Sequence, residues 1–230
     1  MELTIALTTY NRFDLTVQSI ENIIGDNRVK EIIISDDCST DGSYERLQEY
    51  YKDITQVHLF RNVENLGMQL NKAAAIGLAE TEWVLILDSD NKVDSTYLDA
   101  FFALPKHYSD TIYAPSWARP TFDYRDFEGM VINKRNVAEL VGKPFFGALI
   151  NTCNYIVNKD YYLSKFKRND KIKGVDTANH FYNHISTGGS FLVVPNMYYD
   201  HLVHSGSEFM KEVNYNMACA MEIEKQLKHL

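Results

Sequence analysis

No stretch of this sequence reaches the roughly 18 consecutive apolar residues that a membrane-crossing helix needs. The opening residues, Met1 to Ala6, carry neither a basic flank nor a long apolar run, so they do not read as a secretory leader. Both absences point to a cytoplasmic protein with no membrane span. Cysteine is scarce as well. Cys38, Cys153 and Cys219 are an odd number at irregular spacing, which suits neither a disulfide framework nor a cysteine-based zinc site and fits a reducing compartment. Basic charge is also short: 23 Lys and Arg stand against 31 Asp and Glu, for a net charge of −8. That balance speaks against a nucleic-acid partner, because neutralising phosphates takes clustered Lys and Arg. The local basic run from Lys165 to Lys173 reads as a solvated face. No internal repeat or low-complexity segment is present.

What remains is a globular composition, with 45% hydrophobic and 23% charged residues over 230 positions, a length that suits one domain. The first hundred residues alternate between short β-branched runs and amphipathic segments. This predicts strands at Leu3 to Thr8, Glu31 to Ser35, Gln56 to Arg61 and Trp83 to Leu87, with helices at Leu15 to Ile24, Tyr44 to Tyr51 and Met68 to Glu80. A βαβαβαβ order of this kind implies an α/β fold with a mostly parallel central sheet and flanking helices. The second half, richer in aromatics, is expected to add strands and an acceptor-side surface. Residues 208–230 read as one amphipathic helix. The expected division is one domain made of a first half over 1–104, a second half over 105–207, and that helix.

In open sheets of this kind ligands sit beyond the carboxyl ends of the strands. Here those ends are polar: Thr8-Thr9-Tyr10-Asn11, Asp36-Asp37-Cys38-Ser39, Asn62 to Gly67, and Asp88-Ser89-Asp90-Asn91. Asp88 and Asp90 leave the apolar run Val84 to Leu87. Two carboxylates so delivered repel unless something neutralises them, which a divalent cation such as Mg²⁺ or Mn²⁺ does with hard oxygen ligands. The bland alternative is a turn, where Asp, Ser and Asn are also favoured. Asp37 can accept a hydrogen bond from a nucleobase N–H or a ribose hydroxyl. Ser39 and Asp41 read as caps of the helix that follows, and Asp37 lies too far upstream to cap it. His201 and His204 sit in a polar segment, and one imidazole could complete a metal sphere begun by Asp90. On a strand the two would face opposite ways.

Taken in order, Thr8-Thr9-Tyr10-Asn11-Arg12, Asp36 to Gly42, Asn65-Leu66-Gly67 and Asp88-Ser89-Asp90 resemble the family 2 glycosyltransferases, inverting, metal-dependent enzymes of GT-A fold. The likeness runs from Leu3 to about Ser207, and it implies that residues 1–104 form the nucleotide-sugar-binding half and 105–207 the acceptor and catalytic half. It implies a nucleotide-sugar donor, with a UDP-sugar favoured, and a glycan, lipid-linked or protein acceptor. By the same resemblance Thr8, Tyr10, Asn11 and Arg12 would line the donor pocket, Asp37 would bind the base, and Asn65, Gly67 and Ser89 would help shape the site. Asp88 would hold ribose or donor sugar, and Asp90 would be the main metal ligand. Lys72 stands where the family often has Arg, and would approach donor phosphate or sugar. Gly174 to Phe181 is similar to the segment that carries the family's catalytic base. Asp176 matches its Asp, whereas Val175 replaces the usual Glu. His201 and His204 resemble the histidine-containing loop over the donor.

Three rivals make different demands. A nucleotidyltransferase should have a glycine-rich, basic phosphate loop after the first strand, and Thr8 to Arg12 contains no glycine. A retaining glycosyltransferase would not need Asp176 as a base. A catalytically silent glycan-binding module would be free to lose Asp88, Asp90 and Asp176, all of which are present.

Overall fold

The computed structural model describes residues 1–202 and 207–230. Its first part follows the expected alternation: β1 (Leu3–Thr9), α1 (Phe13–Ile20), β2 (Val29–Asp36), α2 (Ser43–Tyr51), β3 (Val57–Arg61), α3 (Met68–Leu78) and β4 (Trp83–Asp88). Next come β5 (Asn91–Lys92), α4 (Ser95–Phe102), β6 (Thr111–Arg119), β7 (Phe122–Asp123), β8 (Val131–Ile132), α5 (Val137–Leu140) and α6 (Phe146–Ile150). The chain closes with β9 (Tyr155–Asn158), α7 (Lys159–Lys165), α8 (Asp176–Ser186), β10 (Ser190–His201), α9 (Glu208–Lys211) and α10 (Val213–Leu227).

Among the described residues one sheet runs through both halves in the order β3-β2-β1-β4-β9-β6-β10-β5, with β7 on β6 and β8 on β10. β3, β2, β1 and β4 are parallel neighbours. β9 runs against both β4 and β6, and β10 is parallel to β6. Within the parallel block β2, β1 and β4 are buried on both faces and read as near-continuous apolar runs rather than alternating ones, while β3 is the partly exposed edge strand. Leu3, Ile5, Leu7, Ile32, Ile33, Ile34, Val84, Leu85 and Leu87 are all fully buried. Its carboxyl ends open on one side, and the ends of β6 and β10, parallel to it, open on the same side.

Two elements differ from the sequence expectation. β10 is longer than the apolar run Phe191 to Pro195, because its register shifts between Val194 and Tyr198 around Asn196 in the left-handed region (φ 60°). The strand then resumes pairing with β6 and reaches His201. The C-terminal helix is broken at Glu212, whose backbone (φ −130°, ψ 48°) is not helical. The buried Asn216 side chain donates to the Phe209 carbonyl at 3.1 Å, tying the short piece to the long one.

Candidate active site

The mouth of the cleft is built from backbone turns that side chains hold in place. After β1, Asn11 adopts a left-handed conformation (φ 53°) that a short amide side chain tolerates. Its N–H donates to Ser39 Oγ and its Oδ1 accepts from the Thr40 N–H, both at 2.8 Å, which ties the end of β1 to the end of β2. Thr8 is half-buried and Tyr10 exposed at this edge. Ser39 is therefore occupied across the cleft and does not cap α2. Asp41 does serve there, accepting from the Ser43 N–H at 2.9 Å.

Asp37 is buried, and its carboxylate is used by the chain itself. Oδ1 accepts from Asn62 Nδ2 at 2.9 Å and the Leu66 N–H at 2.8 Å, while Oδ2 accepts from the Gly67 N–H at 2.9 Å. Gly67 is the cap residue at the start of α3, where the first N–H groups have no partner within the helix, and Leu66 stands just before it. Asp37 thus does cap a helix, one that starts thirty residues downstream rather than the next in sequence. Gly67 takes a φ of 77°, a conformation natural to glycine and strained for other residues. Asn65 completes the turn, donating to the Asp37 carbonyl at 3.1 Å and accepting from the Gly67 N–H at 3.2 Å. A carboxylate has about four lone-pair positions, so three bonds leave Oδ2 able to accept one more.

The deeper part of the cleft is a charged cluster. Lys72 on α3 is buried, and its Nζ lies 2.9 Å from Asp176 Oδ2 and 3.3 Å from Asp88 Oδ1. Asp176 is the first residue of α8, so the second half of the chain meets the first half here. The Cys153 thiol donates to the other oxygen of Asp88, whose N–H donates to Asn154 Oδ1 at 3.2 Å. Burial alone would raise the Asp88 carboxyl, but the Lys72 ammonium and the Cys153 thiol hold it below the usual carboxylate range. Burial would likewise lower the Lys72 ammonium, and the two carboxylates drive it well above its ordinary value. The Cys153 thiol is pushed well up by burial and by the adjacent carboxylate, so it stays a neutral donor.

Asp90 belongs to a second network. Arg12 Nη1 lies 2.8 Å from its Oδ2, and Asn91 Nδ2 donates to its Oδ1 at 3.1 Å. Asn91 Oδ1 in turn lies 2.7 Å from Nδ1 of His201, across the β5–β10 pairing that sets His201 opposite Asn91. Ser89, between the two aspartates, is buried. His204 lies outside the described residues.

Among the described residues no three His, Cys, Asp or Glu side chains gather as a ready cage for a metal ion. Mg²⁺ and Mn²⁺ do not require one, because such ions are commonly held by one or two carboxylates, waters and substrate phosphates. Asp90 offers a hard oxygen ligand of that kind, at present in an ion pair with Arg12 that a cation would have to displace. The bond from His201 Nδ1 to Asn91 leaves its Nε2 as the basic nitrogen, an orientation typical of metal-binding histidines. These residues therefore fit a divalent ion shared with a phosphorylated ligand.

Sequence reasoning sets Asn62 and Asn91 among the polar strand ends without a role for either, and it misses Asn154 and the part that Cys153 plays. Cys153 was weighed only for disulfides and zinc. The available signal was the polar run Asn151 to Asn154 directly before the apolar strand β9, the same polar-end pattern that marks the parallel strands.

With that geometry in hand, comparison with known proteins is decisive at one level: a family model described as glycosyl transferase family 2 matches residues 4–171. The chain belongs to that family. The matched region holds the Thr8 to Arg12 turn, Asp37, Lys72, Asp88 and Asp90, while Asp176 and His201 lie beyond its end. Among curated relatives, the putative teichuronic acid biosynthesis glycosyltransferase TuaG of Bacillus subtilis is 34% identical over 85 residues, 36% of this chain and 34% of that protein. The poly(ribitol-phosphate) beta-glucosyltransferase of Bacillus spizizenii is 30% identical over 116 residues, 49% of this chain and 18% of that protein. The chain thus spans about a third or less of these two relatives. Among solved structures, S. aureus TarS 1-349 in complex with UDP-GlcNAc matches with a TM-score of 0.70 at 17% identity, covering 92% of this chain and 61% of that one. GalNAc-T7 with UDP, GalNAc and Mn²⁺ matches at 0.65 and 16% identity, covering 89% and 44%. At such identities the likeness is one of fold, and the fold is GT-A.

Proposed function

We propose that this chain is a glycosyltransferase domain that moves a sugar from a nucleoside-diphosphate sugar to a hydroxyl of a glycan or glycoconjugate, with inversion at the anomeric carbon. The observation that carries the reading is the meeting of Asp176 with Asp88 through Lys72, which sets a carboxylate from the second half beside the strand ends where a donor belongs. Thr8 and Tyr10 line the base pocket, with Asn11, Arg12, Asn65, Gly67 and Ser89 shaping its walls. Asp37 uses the remaining acceptor position of Oδ2 for the base N–H, which suits uracil, whose N3 is a donor. A UDP-sugar is therefore the favoured donor, in keeping with the UDP complexes among proteins of similar fold. Asp88 takes a hydroxyl of ribose or donor sugar.

In the transfer, Asp176 accepts the proton of the acceptor hydroxyl as that oxygen forms its bond to the anomeric carbon. The bond from that carbon to the diphosphate breaks on the opposite side, which inverts the centre and releases the nucleoside diphosphate. A divalent cation, Mn²⁺ or Mg²⁺, held by Asp90 and by His201 or His204, would offset the charge that gathers on the departing diphosphate. The acceptor class is best sought among surface polysaccharides, because curated relatives are named for teichuronic acid and poly(ribitol-phosphate). Among the described residues no helix is long and apolar enough to cross a membrane.

A thermal-shift screen of UDP, GDP, dTDP and CDP, each with and without Mn²⁺, tests the donor site, since a ligand that binds only the folded state raises its Tm. The expected result is a metal-dependent shift, largest for UDP, that Asp90→Ala abolishes. A UDP shift unchanged by Asp90→Ala would remove the metal role of that residue. The anomeric configuration of the product, read by NMR, separates inversion from retention.

A further inference from the structure

Lys72 is the feature of the cleft that the donor-binding scheme leaves unexplained. Its side chain is 5% exposed, and its ammonium is engaged by two carboxylates from elements far apart in sequence, Asp88 at the end of β4 and Asp176 at the start of α8. An ammonium presents three N–H donors; here one is given to Asp176 and the Asp88 carboxylate lies 3.3 Å away, so the chain itself supplies the two anions nearest this cation. The other titratable groups around it are Cys153 ahead of β9, Tyr155 on β9, Tyr162 on α7 and His180 on α8. None of these is a second cation: the tyrosines and the thiol are kept neutral by burial, and His180 is held uncharged at neutral pH for the same reason.

Take the ammonium away, and Asp88 and Asp176 face each other across a few ångströms with no cation between them. Like charges so placed repel, and side chains or protons rearrange to relieve the repulsion. Asp88 has another anchor in the Cys153 thiol. For Asp176 the hydrogen bond from Lys72 Nζ is the side-chain contact that fixes the carboxylate at the helix start.

We infer that Lys72 is a positioning residue for the catalytic base, holding the Asp176 carboxylate against the donor half of the cleft, and is not a ligand of the donor diphosphate. This rests on the reading of Asp176 as the base. A neutral side chain at position 72 then leaves nucleotide binding in place and removes turnover, whereas loss of a phosphate ligand would weaken binding.

The test uses Lys72→Met, Lys72→Arg, Asp176→Asn and the Lys72→Met/Asp176→Asn double variant. UDP affinity is measured by calorimetry with Mn²⁺, and UDP release by hydrolysis, with water bonding to the anomeric carbon in place of the acceptor hydroxyl, is measured from saturating UDP-GlcNAc and UDP-glucose. Lys72→Met is expected to bind UDP within about threefold of wild type and to release UDP about 100-fold more slowly. Lys72→Arg should recover at least about tenfold of that rate, and the double variant should be no slower than Asp176→Asn alone, because the two side chains act as a unit. A Lys72→Met variant that binds UDP more than about tenfold weaker with its saturated rate intact would make Lys72 a donor ligand and overturn the inference. So would losses that multiply in the double variant. If Lys72→Met fails to fold, Lys72→Arg decides on the same split, since it keeps the charge and changes only its geometry. Full activity in Asp176→Asn would instead count against Asp176 as base.

Discussion

At the scale of single residues, Asp37 carries two demands at once. Its carboxylate satisfies the Leu66 and Gly67 amides and the Asn62 side chain, and the proposed role in binding the base draws on the one acceptor position left. Asp37→Ala should therefore lower stability as well as donor affinity. Buried amides left without an acceptor cost about 1–3 kcal/mol, which for a chain of this size means a fall in Tm of several degrees. Asp37→Asn keeps one acceptor oxygen and should lose less stability while still weakening UDP binding. Differential scanning calorimetry beside UDP titration checks both, and an unchanged Tm in Asp37→Ala would show that solvent replaces the carboxylate at no cost. The sequence marked Asp37 for the ligand but not for the helix, because the helix it caps is adjacent in space and remote along the chain.

At the scale of elements, the C-terminal helix does more than cover apolar surface. Asn216, fully buried on α10, accepts from the Gly174 N–H at 2.9 Å and donates to the Phe209 carbonyl. Gly174 stands two residues before Asp176. A Cβ there would meet Asn216 Nδ2 at 2.6 Å and the Phe209 backbone at 2.8 Å, so backbone and amide are packed too closely for any side chain. Asn151 adds to the clasp, accepting from the Ala178 N–H at 3.3 Å and donating to the Gly174 carbonyl at 3.4 Å. Asn216→Ala should lower the rate of transfer by about tenfold or more while UDP affinity stays near wild type, since it loosens the start of α8 and leaves the donor half alone. Equal loss of rate and of UDP affinity would mean that α10 supports the whole fold rather than this turn. The strands β1 to β4 and helices α1 to α3 were legible in advance to within a few residues, because apolar runs and spacing fix them locally. The break at Glu212 and the extension of β10 were not, since both depend on what lies across the gap.

At the scale of the whole molecule, two buried histidines on α8 link the fold to pH. Burial lowers His180 to about 3, and His184, also lowered first by burial though its bond to the Ser190 carbonyl opposes this, to about 4. An unfolded histidine titrates near 6.5. Below that value the unfolded chain binds protons that the folded protein refuses, so stability is full above pH 6.5 and falls as the pH drops towards the folded values. The expected loss is about 2 kcal/mol per histidine at pH 5. Tm measured from pH 7.5 to pH 4.5 should fall along this window, and His180→Phe, which keeps the stack on Tyr162 at 4.0 Å, should shrink the fall. An identical pH slope in the variant would assign the acid sensitivity elsewhere.

On the same scale, the division between sequence and structure follows from distance along the chain. The sequence by itself determined the α/β class, the polar ends of the four parallel strands and the family, because each of these is a local pattern repeated in order. It also offered Asp176 across the replacement of its neighbour by Val175. Only the tertiary structure decided that Lys72 meets Asp88 and Asp176, that Cys153 donates to Asp88, that Asp37 caps α3, and that His201 lies opposite Asn91. Such pairings join residues up to about a hundred positions apart, and no spacing rule along one strand or helix carries that information.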